Sequence, residues 1–244
     1  MVLSTLLLSI LATVLSFIIV LLAVPPILKV ARKKLLFDQP DDRKIHQNET
    51  PSFGGLAIFL GFIVSITFLI DDISFARLKY ILLGTILMLI IGLKDDLIGI
   101  SPFKKFAIQL ITAFIIIFFG KIQITSFHGV FGIYELNTFW GALISFIAIL
   151  TIINAFNLID GIDGLAAGLG MLASLAFGIW FFFSGFTTYV IISFALFGSL
   201  GGFFLYNVFG KSNKIFMGDT GSLFLGLIIA ILTVKFNELN VNSY

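Results

Sequence analysis

Four short stretches hold most of the residues in this chain that could do chemistry. Asn154, Asn157, Asp160 and Asp163 recur every three residues in Asn154-Ala-Phe-Asn157-Leu-Ile-Asp160-Gly161-Ile-Asp163-Gly164. Asp95-Asp96 precedes Ser101-Pro102, Lys105 and Gln109, and Asp219 lies in Phe216-Met217-Gly218-Asp219-Thr220-Gly221-Ser222. A fourth stretch, Asp38…Arg43-Lys44-Ile-His46, runs on to Pro51 and Gly54-Gly55. Each adjoins a long apolar run. A carboxylate in such a setting is costly unless water, a partner or a cation meets it. Hard oxygen donors without a His or Cys cluster suit Mg²⁺, or Mn²⁺, which keeps waters and shares phosphate oxygens with a substrate.

Other readings weigh against each stretch. Asp71-Asp72 repeats the paired-acid pattern elsewhere, so a bare pair is weak, and the outer one reads as solvated. Asp219 also suits a helix N-cap, although capping alone does not call for a glycine on either side. The four polar residues of 154–163 would share a face if helix continued through them, but Gly161 and Gly164 favour unwinding there. A polar hinge needs one such residue rather than four. At Gly54-Gly55 the expectation is that exposed backbone N–H groups open a helix as an anion site, with Arg43, Lys44 and His46 adding donors for phosphate. His128 reads as solvated surface with no role.

The elements that must position these residues are helices in a membrane. Of 244 residues 59% are hydrophobic and only 11% charged, far from a soluble composition. Solid apolar runs, rather than alternation, exclude a β-barrel. A net charge of +2 gives no case for nucleic acid, and the absence of cysteine excludes disulfides and thiolate metal sites. The expected fold is all-α and polytopic, one domain over 1–244 with eight spans. These are Val2–Val24, Gly54–Ile70, Tyr80–Leu93, Phe103–Phe119, Phe139–Phe156, Leu165–Phe183, Thr187–Tyr206 and Ser222–Val234. The first reads as a retained span rather than a cleaved signal peptide.

Eleven Lys and Arg fall in the connections after spans 1, 3, 5 and 7, and four on the other side. The basic side is cytoplasmic by the positive-inside rule, so both termini are expected outside. The acids of all four stretches then gather on the cytoplasmic side. Ion carriers set their carboxylates near the midplane. Acids at one boundary favour a site that serves a cytosolic polar substrate and a membrane-embedded one together.

Taken in order, the four stretches resemble the polyprenyl-phosphate N-acetylhexosamine-1-phosphate transferases, with the Arg-Lys-X-His form closer to the N-acetylglucosamine-type branch. The resemblance spans roughly residues 38–226. It implies a multi-pass enzyme of the inner, or cytoplasmic, membrane that moves a sugar-1-phosphate from a UDP-sugar to a polyprenyl phosphate. UMP leaves, and the lipid-linked diphospho-sugar serves cell-envelope polysaccharide synthesis. It further implies Asp219 as the main Mg²⁺ ligand with Asn157 as the second, and Asp95 and Asp96 near the attacking phosphate, Asp95 as base. Asp160 and Asp163 would shape the nucleotide or metal site. Lys44, His46 and Lys105 would hold phosphate or sugar, with Gly54, Gly55, Asn154, Gly218 and Ser222 in the substrate-binding set. A homodimer is expected by analogy.

The chain departs from the family pattern in one respect. Members carry further spans and a His-rich cytoplasmic loop after the eighth, whereas here the only histidines are His46 and His128 and the sequence stops at Tyr244. The alternatives are a truncated product, a natural short form, or a loop supplied by a second chain. A non-catalytic or partner-dependent member would bind UDP-sugar or lipid phosphate without releasing UMP. A carrier is the third class.

Overall fold

The structure is a computed structural model that describes residues 2–34 and 50–240. Every predicted apolar run in it is helical. The helices are α1 (Val2–Lys33), α2 (Gly54–Leu69), the short α3 (Asp72–Arg77), α4 (Lys79–Ile98), α5 (Pro102–Phe114), α6 (Thr138–Ile159), α7 (Leu165–Phe183), α8 (Thr187–Val208) and α9 (Gly218–Asn240). A π-helical turn, Ile115–Phe119, prolongs α5. Among the described residues six helices are long and apolar enough to cross a membrane: α1, α5 with its extension, α6, α7, α8 and α9. The 16 residues of α2 rise about 24 Å, short of a hydrocarbon core about 30 Å thick. The last turns of α4 carry Lys94, Asp95 and Asp96, so it is apolar only in part.

Two helices form the centre. Of the α9 span 67% is buried, and of the α8 span 61%, against 22% for α6. α9 packs against α2, α4, α6 and α7, and α8 against α1, α2 and α7. Lipid tails are as apolar as leucine, so close approach rather than hydrophobicity holds such helices together, and small residues permit it. A Cβ on Gly55 would lie 2.1 Å from the Gly221 nitrogen, and one on Gly92 would lie 2.4 Å from the Thr220 Cα. α2 and α4 therefore meet the first turn of α9 backbone to backbone.

α1 runs past the predicted end at Val24, through Pro25 and Pro26, to Lys33. Proline lacks the N–H that would bond the carbonyl four residues back. For Pro25 that carbonyl is Leu21 O, and the Tyr206 hydroxyl of α8 donates to it at 3.2 Å. A neighbouring helix thus supplies the missing donor, which lets a proline sit inside a membrane helix.

On the side opposite the four stretches, Asp71 caps α3 by accepting from Ser74 N–H at 3.0 Å. The 121–137 connection folds on itself through Leu136 N–H to Thr125 O at 2.9 Å and Gly129 N–H to Ile133 O at 3.0 Å. His128 is exposed there, as expected, and it also has a partner. Its ring Nε2 lies 3.1 Å from Asn237 O, so it docks the loop on the end of α9.

Gly55→Val should destabilise the fold by about 3 kcal/mol, the upper part of the overpacking range, because the obstacle is backbone. Tyr206→Phe should cost about 1 kcal/mol, one hydrogen bond. Thermal unfolding in detergent checks both, and a Gly55→Val protein as stable as Tyr206→Phe would contradict the backbone contact.

Candidate active site

The four-residue repeat sits where helix gives way to turn. α6 ends at Ile159 with Asp160 as its C-cap, and α7 begins after Gly164, whose φ is +73°. Asn154 and Asn157 thus stand on the last turns of α6, while Asp160 and Asp163 lie in the turn. Asn207 on α8 pins that turn. It accepts from Gly164 N–H at 2.7 Å and donates to Ile215 O at 3.0 Å, joining the turn to the 209–217 connection. Arg32 donates to Ser212 O from α1, and Lys214 pairs with Asp163 at 2.5 Å.

Asp95 and Asp96 close α4, where the helix dipole alone would disfavour them. Their partners explain the placement. Asp96 accepts from Asp219 N–H at 2.8 Å, from Thr220 N–H at 3.0 Å and from the Thr220 hydroxyl at 2.5 Å. It therefore caps the N-terminus of α9 from a different helix, where a negative charge is favoured. Asp219, considered above as the cap, is instead in the first turn of α9. Asp95 Oδ1 accepts from Ile100 N–H at 2.5 Å, and Asp95 Oδ2 pairs with Lys105 Nζ at 2.5 Å.

The same Lys105 ammonium lies 2.5 Å from Asp219 Oδ2. Asn157 donates to the other oxygen of Asp219 and to Ser222 Oγ, the latter at 2.9 Å. One side chain from α5 thus joins carboxylates of α4 and α9, and an amide of α6 steadies the second. Asp160 is half-buried beside this group. Burial, and next the charges of Asp219 and Asp96, push its carboxyl up to about 8, against the pull of the Gly218 N–H.

The structure brings together Asp95, Asp96, Lys105, Asn157, Asp160, Asp219 and Ser222. Asp163 is more exposed and tied to Lys214. Asn154 is turned to structure rather than to a substrate, because it donates to Gln109 Oε1 and Leu150 O, both at 2.8 Å. The anion site expected at Gly54 and Gly55 is a correction. Their N–H groups donate to Phe216 O and Met217 O, both at 2.8 Å, so α2 is capped by the chain entering α9. Gly218 has φ +72°, and a Cβ there would lie 2.2 Å from Ser52 O. Lys44 and His46 lie outside the described residues, as do Asp38 and Arg43. Thr220 and Asn207 were not singled out as site residues. The signal for Thr220 was its place beside Asp219, and for Asn207 its place just upstream of the basic connection.

Among the described residues no three His, Cys, Asp or Glu converge as a ready metal cage. Mg²⁺ does not require one, since it is held by one or two carboxylates with waters and phosphates. The donor set fits that pattern, because two carboxylate oxygens already point at one cation centre 2.5 Å from each. Asn157 presents its NH₂ to Asp219 in this arrangement, so its oxygen could serve as a ligand only after the amide turns.

A sequence profile described as Glycosyl transferase family 4 matches residues 78–237, which include three of the four stretches. The chain belongs to glycosyl transferase family 4. Relatives of known name are similar to the chain over most of its length. A Bacillus subtilis (strain 168) protein named "Probable undecaprenyl-phosphate N-acetylglucosaminyl 1-phosphate transferase" is 37% identical over 226 residues, 91% of this chain and 62% of that protein. An Escherichia coli (strain K12) protein named "Undecaprenyl-phosphate alpha-N-acetylglucosaminyl 1-phosphate transferase" is 34% identical over 205 residues, 82% of this chain and 55% of the relative. A Salmonella typhi protein of the same name is 30% identical over 218 residues, 88% and 59% respectively. The chain thus spans less than two thirds of the length of these relatives. The family 4 match and the apolar helices together make it a multi-pass membrane protein.

A pH dependence follows from Asp160. Its folded value lies above the ordinary 3.8, so its contribution to stability is complete at low pH and is lost as pH rises through about 8. In EDTA, the thermal midpoint should fall between about pH 4 and 8 and level off above that. Asp160→Asn, which cannot ionise, should flatten that slope, and an equally steep fall in the variant would place the titrating group elsewhere.

Proposed function

We propose that this chain transfers a sugar-1-phosphate, N-acetylglucosamine-1-phosphate by the names of its relatives, from a UDP-sugar to a polyprenyl phosphate. The reaction takes place at the cytoplasmic membrane face, with eight spans and both termini outside. The observation that carries the reading is the Asp95–Lys105–Asp219 bridge, set among helix ends on the side where the basic connections gather. Family 4 membership and the names of the relatives support the substrate classes.

The chemistry joins two anions. An oxygen of the lipid phosphate attacks the sugar-bearing phosphorus, the bond to the UMP oxygen breaks, and UMP leaves with that electron pair. Mg²⁺ held by Asp219 and Asp95 would neutralise charge on the phosphates. Lys105 adds a second positive charge. Asp95, kept ionised by the positive charge beside it, takes a proton from the lipid phosphate when that group arrives protonated. Asp96 acts indirectly, because both its oxygens are engaged by the start of α9; it fixes the direction of the Asp219 carboxylate. Asp160 and Asp163 flank the turn that faces the nucleotide. A phospho-aspartate on Asp95 is the other possible route, and UMP exchange into UDP-sugar without lipid would reveal it.

The test is UMP release by the purified chain in detergent with polyprenyl phosphate, UDP-N-acetylglucosamine and Mg²⁺. Release should require both lipid and metal and stop with EDTA. Asp219→Asn should lower turnover about 100-fold or more, the scale of losing one preorganised charge stabiliser, while the protein stays folded. Asp96→Asn should lower turnover and thermal stability together. Substrate binding without UMP release would favour the non-catalytic reading.

A further inference from the structure

The cation that meets both carboxylates in this site belongs to the protein. Lys105 Nζ is equidistant, at 2.5 Å, from Asp95 Oδ2 and Asp219 Oδ2. The side chains of Lys105, Asp95 and Asp219 are 17%, 11% and 25% exposed, so water supplies little of the compensation. The remaining oxygens are held elsewhere, that of Asp95 by Ile100 N–H and that of Asp219 by Asn157. The two Oδ2 atoms are therefore left to share one positive centre.

Nothing on the helix that bears Lys105 favours an ammonium there. It stands in the first turn of α5, three residues after Pro102 and beside Lys104, where the helix dipole and a like charge both oppose it. The two acids of other helices are what hold it. A lysine is also a replaceable occupant, a compact charge on a flexible four-carbon stem.

We propose that Lys105 is an exchangeable internal counter-ion. Its ammonium occupies the position that a divalent cation takes between Asp95 and Asp219, and cation binding releases it to a substrate phosphate. The inference rests on the transferase reading for the nature of the cation and the phosphate. It has two consequences. The carboxylates stay compensated when no divalent cation is bound, which preserves the α4–α9 junction. The lysine becomes free for phosphate only when the metal is seated, so metal and phosphate binding are coupled in both directions.

The experiment measures binding of Mn²⁺ alone to the full chain in detergent, from the free-ion electron paramagnetic resonance signal. Lys105→Met removes the competing charge and should tighten Mn²⁺ binding about tenfold or more, the size expected for one charge at a half-buried site. Lys105→Arg keeps the charge and should stay within about threefold of wild type. The rise in thermal midpoint on adding Mn²⁺ should also be larger for Lys105→Met, because in EDTA its two acids face each other uncompensated. Should Lys105→Met fail to purify, Lys105→Gln gives the same comparison. Unchanged or weaker Mn²⁺ binding in the neutral variants would overturn the exchange while leaving UMP release by the wild-type chain intact. Mn²⁺ bound by Asp219→Asn as tightly as by wild type would overturn the exchange and the metal assignment together.

Discussion

A helix that starts inside a protein packed for a membrane has backbone N–H groups that neither lipid nor bulk water can satisfy. α9 is such a helix, and the Asp96 carboxylate that meets its first turn is the contact on which the rest of the site depends. Because the cap comes from α4, it also locks two helices at one depth. That depth sets Asp219 one residue into α9, facing Lys105 on α5 and Asn157 on α6. The close crossings of Gly55 with Gly221 and Gly92 with Thr220 follow from the same requirement, since a side chain at either glycine would push the capped turn away.

Charge is arranged in two tiers around that cap. Lys105 with Asp95 and Asp219 forms the inner tier, mostly withdrawn from solvent. Lys214 with Asp163 forms an outer tier that water reaches. Removing one partner from the inner tier would leave an uncompensated buried charge, the costly case for an ion pair, whereas the outer pair is screened. Asp160 pairs with no lysine among the described residues, and burial together with the charges of Asp219 and Asp96 pushes its carboxyl up to about 8. A group of acids held together by one lysine is well suited to accept a divalent cation, and poorly suited to remain uncompensated.

The frame outside the site solves the same problem of buried backbone groups by other means. Tyr206 supplies the hydrogen bond that Pro25 cannot make. The carbonyls of Phe216 and Met217 cap α2. Asn207 ties the α6–α7 turn to the connection that enters α9. Most of these bonds join segments distant in sequence, so the helix ends around the site are cross-linked into one unit around the cap.

The sequence by itself determined the helical membrane architecture, the approximate limits of the apolar runs, the unwinding at Gly161 and Gly164, and the family. Apolar run length and glycine position report the surroundings of each segment directly. Run length placed the end of α1 too early, because a proline ends a helix only when no neighbour replaces its bond. Only the tertiary structure decided the partners. From sequence Asp95 and Asp96 are alike, yet one meets a lysine of α5 and the other the first turn of α9. Asn154 and Asn157 belong to one repeat, yet one bonds between helices and the other steadies Asp219. The N–H groups of Gly54 and Gly55 suit an anion on local grounds and are taken by carbonyls more than 160 residues away. Such choices depend on which helices touch and at what depth, and short-range spacing carries no information about contacts made across most of the chain.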